Sequence, residues 1–279
     1  MAITVGIDIG GSTTKIIGIN NGKILAPLMV TADDQIASLF GAFGKFIDSN
    51  NLTLADISEI AVTGVGASYA EKSIYGIPTT KMEEFVSNGY GGLYLSNLQE
   101  AIIVSMGTGT ALIRAKGEES MHIGGTGMGG GTLMGLASLM LNIRDIGYLI
   151  EMAEGGDLHK VDLMVGDITR DKLPNLPENT TASNFGKISD ELEKCDIALG
   201  LFNLVFQTVG MMAVFASKNT NLRDIVLIGN LSKIPFCRDI FASLEMVHDI
   251  KFIIPPYSEY GTAVGAALAL KSGKGLALD

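Results

Sequence analysis

Three glycine-rich stretches hold the residue types that phosphate chemistry needs. GIDIGGSTTKI at residues 6–16, SMGTGTAL at 105–112 and HIGGTGMGGGT at 122–132 combine bare backbone with hydroxyl side chains, and the last has six glycines in eleven positions. Glycine lets backbone N–H groups come close to an anion, and a helix N-terminus adds a favourable dipole. The hydroxyls of Thr108, Thr110, Thr126 and Thr132 are placed to add donors.

Two better-known phosphate motifs are excluded by context. Gly125, Gly127 and Gly130 satisfy G-x-G-x-x-G, but a dinucleotide fingerprint is followed about 20 residues on by an acidic residue ending the next strand. Here TLMGLASLMLNIRDIGYLI reads as helix, with Asp145 inside it. Gly6 and Gly11 have P-loop spacing, but Ser12 follows and the lysine comes only at Lys15. A flexible linker is disfavoured too, since apolar residues flank the run.

These stretches need elements to hold them. ITVGIDIGG reads as a strand ending in glycine, and TTKIIGIN with NGKILAPLMV as a hairpin around Asn20, Asn21 and Gly22. ASLFGAFGKFIDSN predicts an amphipathic helix and ISEIAVTGVG another strand. AIIVSMGTGTALIRA begins a second round of strand, glycine turn and strand. The repeated theme, GGST at 10–13 and GTGT at 107–110, predicts two related lobes facing a cleft. Residues 166–187, with Pro174 and Pro177, predict a surface excursion. IVLIGN, KFIIPP and the small-residue helix YGTAVGAALALKSG close the chain.

A net charge of −10 argues against general affinity for nucleic acid or acidic lipid, so phosphate must be held locally. Cys195 and Cys237 lack metal-ligand spacing and read as buried, inert thiols of a reducing cytoplasm. The start, MAITVGIDIGG, carries no export pattern. IALGLFNLVFQTVGMMAVFAS at 197–217 is uncharged and long enough to span a bilayer. Its polar interruptions and helical spacing of Leu199, Phe202, Phe206, Val209 and Ala213 predict a core or subunit-interface helix instead, with no membrane partner.

GIDIGGSTTKI resembles the first phosphate loop of the sugar kinase, chaperone and actin superfamily of ATPases. With EEF at 83–85, SMGTGTAL, GGTGMGGGT at 124–132, TTASNFGK at 180–187 and VLIGN at 226–230, the whole chain resembles the type II pantothenate kinases. The resemblance implies an α/β, two-lobed, actin-like (ribonuclease H-like) fold, with residues 1–98 and 99–279 as the lobes. It implies ATP-dependent phosphorylation of the primary hydroxyl of pantothenate, the first step toward coenzyme A, by a Mg²⁺-using homodimer. Carried over by position, the first ATP loop is Gly10, Gly11, Ser12, Thr13, Thr14, Lys15, Ile16 and Ile17, and the second is Thr108. Gly130, Gly131, Thr132, Leu133 and Met134 form the glycine-rich loop, Asn230 lies at the base of the nucleotide site, and Asp8 holds hydrated magnesium.

The resemblance also expects a catalytic carboxylate in EEF. Thr80-x-x-Glu83 reads as a capping box that turns Glu83 back on its own helix, leaving Glu84, about 100° round, to face the cleft as general base with an ordinary pKa near ~4.3. Two positions depart where the family touches pantothenate: His122 stands in place of an arginine and Ala111 in place of a serine. Histidine lacks the fixed bidentate fork of arginine. Pantetheine or another small alcohol is therefore an alternative acceptor. A non-kinase ATPase activator or nucleotide switch of the same fold is an alternative of a different class.

Overall fold

The computed structural model describes residues 2–31, 34–169, 176–187 and 189–278. The first lobe is built on β1 (Ile3–Ile9), β2 (Thr14–Asn20), β3 (Lys23–Val30), α1 (Gln35–Ser49), β4 (Ile57–Thr63) and β5 (Thr79–Lys81). In β1 nearly every residue is buried on both faces, as expected of a central strand. The β2–β3 turn has Asn21 at φ 48 and Gly22 at φ 75, the left-handed pair that a tight hairpin needs. Asp34 caps α1 by accepting from Ala37 N at 2.7 Å.

The second half runs α2 (Glu84–Ser96), β6 (Glu100–Met106), β7 (Thr110–Lys116), β8 (Glu119–Thr126), α3 (Gly130–Leu141), α4 (Ile146–Ala153), β9 (Leu163–Met164), α5 (Val165–Ile168) and β10 (Thr181–Ser183). It continues with α6 (Lys194–Thr220), β11 (Asp224–Ile228), α7 (Pro235–Val247), β12 (Lys251–Ile253), α8 (Gly261–Ala269) and β13 (Leu276–Leu278). The large sheets have the orders β13-β5-β4-β1-β2-β3 and β12-β11-β6-β7-β8. Each contains an antiparallel pair joined by a phosphate-loop candidate, β1–β2 and β6–β7. The expected repeat is thus present as two sheets. The strand β13 joins the first sheet beside β5, so the last residues return across the expected boundary at 98 and 99.

The layers follow from apolar patterning. Leu39, Phe43 and Phe46 of α1 cover the outer face of the first sheet. Helices α3, α4, α6 and α7 cover the outer face of the second. Between the sheets lie α8, packed on β2 through Ala263, Val264 and Ala267, and α2, packed on the second sheet through Leu93. The two helices meet at backbone distance: a Cβ at Gly265 would lie 1.7 Å from Ser87 O, and one at Gly91 would lie 1.8 Å from Gly261 O.

One local expectation is corrected, and two others gain detail. The stretch after the glycine run is two helices, broken where Asn142 takes φ 58, and Asp145 caps the second by accepting from Tyr148 N at 2.8 Å. Asp145 is therefore outside a helix, because its carboxylate satisfies an end amide. Residues 166–187 are more than a loop, since β10 pairs with β9, and Pro174 lies outside the described residues. The apolar helix α6 is long and apolar enough to cross a membrane, but 61% of that window is buried inside the protein, as a core helix would be.

Gly265→Ala should lower unfolding free energy in urea by about 3 kcal/mol or more, because backbone cannot yield to the added carbon. Gly44→Ala, in α1 with open space around it, should instead raise it by about 0.5–1 kcal/mol. Equal effects would contradict this packing.

Candidate active site

The first loop joins β1 to β2. Asp8 and Lys15 are cross-strand partners, and Lys15 Nζ donates to Asp8 Oδ2 at 3.1 Å, with both residues buried. Gly10 N donates to Thr13 O at 3.0 Å, closing the turn and leaving Gly11 and Ser12 exposed. Thr14 is tied down by Ser38 Oγ, 2.6 Å from its Oγ1. Ile16 and Ile17, expected in the first ATP loop, have fully buried side chains, Ile16 in the core under α1 and Ile17 against α8. They anchor the loop.

The second loop, residues 107–109, is braced from behind by the glycine run. Gly130 N donates to Gly107 O and Gly131 N to Thr108 O, each at 2.9 Å. The expectation that these two amides point at phosphate is therefore corrected, since carbonyls of the neighbouring loop already occupy them. The glycines permit backbone to dock on backbone: a Cβ at Gly129 would lie 2.5 Å from Thr108 O. Hydroxyls brace the loop as well. Thr110 Oγ1 donates to Met128 O at 2.8 Å, Thr132 Oγ1 donates to Gly127 O at 2.5 Å, and Thr126 Oγ1 accepts from Met128 N at 3.1 Å. Leu133 is fully buried and Met134 is partly buried against the same core.

Thr108 remains at the gap. A Cβ at Gly11 would lie 3.4 Å from Thr108 Oγ1, so the two loops face each other across the lobes. Asn230 follows β11 and its Nδ2 donates to Thr13 Oγ1 at 3.2 Å. It thus sits beside the first loop. Its Oδ1 is buried without a hydrogen-bond partner, an acceptor that a ligand donor or water would satisfy.

Glu84 is the first residue of α2. The predicted capping box is absent: Thr80 lies in β5, paired with Ala61 and Ala277, and Glu83 is itself the N-cap, exposed and without a side-chain bond to the helix. Strand geometry at Thr80 holds it out of the helix start. Glu84 is half-buried, and its pKa is raised, first by burial and then by the negative charge of Asp8, against the opposing pull of Lys15. The expectation of an ordinary pKa is corrected accordingly. Asp8, Lys15 and Glu84, from three elements, form one electrostatic cluster beside the facing loops.

The remaining wall comes from β7 and β8. Ala111 is paired with Gly125, and His122 with Ile113 on the same face. His122 stacks on Phe85, with ring centroids 4.2 Å and planes 9° apart. Sequence reasoning missed Phe85, and it missed Ser87, whose Oγ reaches Thr63 Oγ1 at 3.3 Å. Neither residue type signals a site; only its place on the first turns of α2 could have pointed to it.

The Fumble family matches residues 94–236. A type II pantothenate kinase of Bacillus anthracis is 30% identical, over 82% of this chain and 83% of its own. One from Staphylococcus aureus (strain MRSA252) is 29% identical over 97% and 99%. Among solved structures, the (R)-2-hydroxyglutaryl-CoA dehydratase component A of Acidaminococcus fermentans superposes with a TM-score of 0.70 at 16% identity, covering 98% of this chain and 100% of the other. A ROK family glucokinase of Streptomyces griseus, in complex with glucose and AMPPNP, gives 0.63 at 12%, again covering 98% and 100%. At these identities the structural likeness establishes the two-lobed fold alone.

A folded-state pKa raised above the unfolded value means that stability falls as pH rises from the unfolded pKa and that the full cost of the ionised carboxylate is reached above the folded pKa. Glu84→Gln should therefore raise Tm at pH 7.5 by ~2 °C, a gain that vanishes as pH falls below the ordinary carboxylate pKa near ~4.3. An unchanged or lower Tm at pH 7.5 would show that burial of Glu84 carries no such penalty.

Proposed function

This chain belongs to the Fumble family, the type II pantothenate kinases, and from that premise we infer that it transfers the γ-phosphoryl group of ATP to the primary hydroxyl of pantothenate. The product is 4′-phosphopantothenate, and the step opens coenzyme A biosynthesis. The observation that carries the reading is the cluster of Asp8, Lys15 and Glu84 beside two facing phosphate loops.

Phosphoryl transfer asks for alignment and charge neutralisation more than for covalent help. We assign the triphosphate to the gap between Gly11, Ser12 and Thr13 on one side and Thr108 on the other, with Asn230 beside Thr13. Lys15 supplies positive charge from the strand beneath. Asp8 offers a hard oxygen donor, and no group of three or more acidic, His or Cys residues suited to a metal exists among the described residues. Asp8 would be the residue to hold a Mg²⁺ ion. The ion would neutralise charge on the transferring group. Glu84 takes the hydroxyl proton, and its raised pKa makes it a stronger base. His122 and Ala111 line the acceptor side, His122 offering one hydrogen bond to pantothenate.

No observation favours an iron–sulfur ATPase activator. Of the two cysteines expected to be buried, Cys237 is buried, with its thiol pushed up to about 12, while Cys195 is half-exposed at the start of α6 and stands alone. We propose lobes divided at residues 98 and 99, apart from α8 and β13, which pack on the first sheet, and a cytoplasmic enzyme. A homodimer is supported by exposed large apolar side chains on adjoining helices: Leu139 and Met140 of α3, Tyr148 of α4 and Phe215 of α6. Light scattering should return twice the chain mass, reduced to one chain by Leu139→Asp; a mass unmoved by the substitution would place the interface elsewhere.

Glu84→Gln should lower kcat by about 10²–10⁴ while ATP affinity by calorimetry holds. Glu83→Gln, at the exposed N-cap, should stay within about twofold of wild type. In the wild type, kcat/KM should fall as pH drops through the raised Glu84 pKa, and Glu84→Gln should lose that limb. Intact turnover in Glu84→Gln would remove Glu84 as base.

A further inference from the structure

We infer that His122, through its stacked face, is a positioning residue that sets the first turn of α2 and with it the carboxylate of Glu84. The inference rests on Glu84 as proton acceptor. Helix α2 begins without a side-chain cap. An uncapped first turn has unsatisfied amides and little to fix its direction, so side chains must hold it. Ser87 gives one tie, donating to Glu83 O at 2.9 Å and reaching Thr63 Oγ1 at 3.3 Å. Val86 is buried against Ala61 and Met82, and Phe85, next in sequence to Glu84, lies flat on the imidazole.

The strand is shaped to present that ring. Leu112 pairs with Gly124 and Ile113 with His122, so Ile123 is an extra residue on β8. Such a bulge bends its strand and re-aims side chains, commonly beside active sites. The ring then divides its roles. One face meets Phe85, while Nε2 lies 3.7 Å from where a Cβ of Gly125 would stand, beside Ala111, the ladder partner of Gly125. Phenylalanine at 122 keeps a stacking face and loses the polar edge. Glutamine keeps a polar end and loses the face.

The test measures kcat, KM for pantothenate and the pH profile of kcat in His122→Phe, His122→Gln, His122→Ala and Phe85→Ala, with Glu84→Gln as reference. His122→Phe should keep kcat within about threefold and raise KM. His122→Gln, His122→Ala and Phe85→Ala should each lower kcat by about tenfold to a hundredfold, as misplacement of a reacting group does. Their acid limb should move to lower pH, because a loosened turn exposes Glu84 and relieves the burial that raises its pKa. The double variant Phe85→Ala with His122→Ala should be little worse than either single one.

Calorimetric ATP binding and Tm report whether each variant is folded, and Phe85→Leu replaces Phe85→Ala if the latter is not. Equal loss of kcat in His122→Phe and His122→Ala, or wild-type kcat with an unmoved acid limb in the Phe85 variant, overturns the inference. An active Glu84→Gln instead overturns the base assignment, so the two failures read differently.

Discussion

Backbone contact between α2 and α8 is the constraint on which the rest of the molecule depends. A Cβ at either Gly265 or Gly91 would overlap the other helix's carbonyl oxygen. Only small residues let the helices lie so close, and that closeness lets two sheets share one thin interior, α8 serving the first and α2 the second. Gly6 extends the same logic, since a Cβ there would lie 2.0 Å from Ala263 O and lift α8 from β1. Because α2 opens with Glu84, the helix crossing also fixes where a carboxylate meets the phosphate loops. Fold and chemistry thus share one contact.

The site itself is mostly backbone and hydroxyl. Its fixed side-chain charges are Asp8, Lys15 and Glu84, and the first two are paired and buried. On the proposed reading, a protein of net charge −10 holds a triphosphate without a basic surface, through local donors and one compensated lysine. The pairing has a second effect. Lys15 lowers the Glu84 pKa while Asp8 and burial raise it, so the carboxylate proposed as base is set by a balance of three groups from three elements.

Much of this was legible in the residues. Alternating and continuous apolar runs placed β1, β2, β4, β6 and β7, and the Asn21–Gly22 turn announced its hairpin because only such residues tolerate that backbone. The paired GGST and GTGT turns correctly pointed to two related lobes. The glycine run was read less well. Its density suggested amides aimed at phosphate, whereas Gly130 and Gly131 donate to Gly107 and Thr108 carbonyls; sequence alone cannot tell close approach to a ligand from close approach to another loop. Glu84 was chosen over Glu83 for its interval to Gly91 and for a capping box that does not exist. It is nonetheless Glu84 that lies near Asp8 and Lys15, while Glu83 is exposed. The Phe85–His122 stack and the Asn230–Thr13 bond join residues 37 and 217 apart, a distance over which no local pattern reports.

The central claim is that the α2–α8 crossing delivers Glu84 to an acceptor hydroxyl lined up with a phosphate held between the two loops. A crystal structure with pantothenate and a nonhydrolysable ATP analogue tests it most directly. The account predicts the γ-phosphate between the Gly11–Thr13 turn and Thr108, with the primary hydroxyl about 3 Å from a Glu84 carboxylate oxygen. A nucleotide bound outside that gap, or a hydroxyl presented to a different carboxylate, would contradict it.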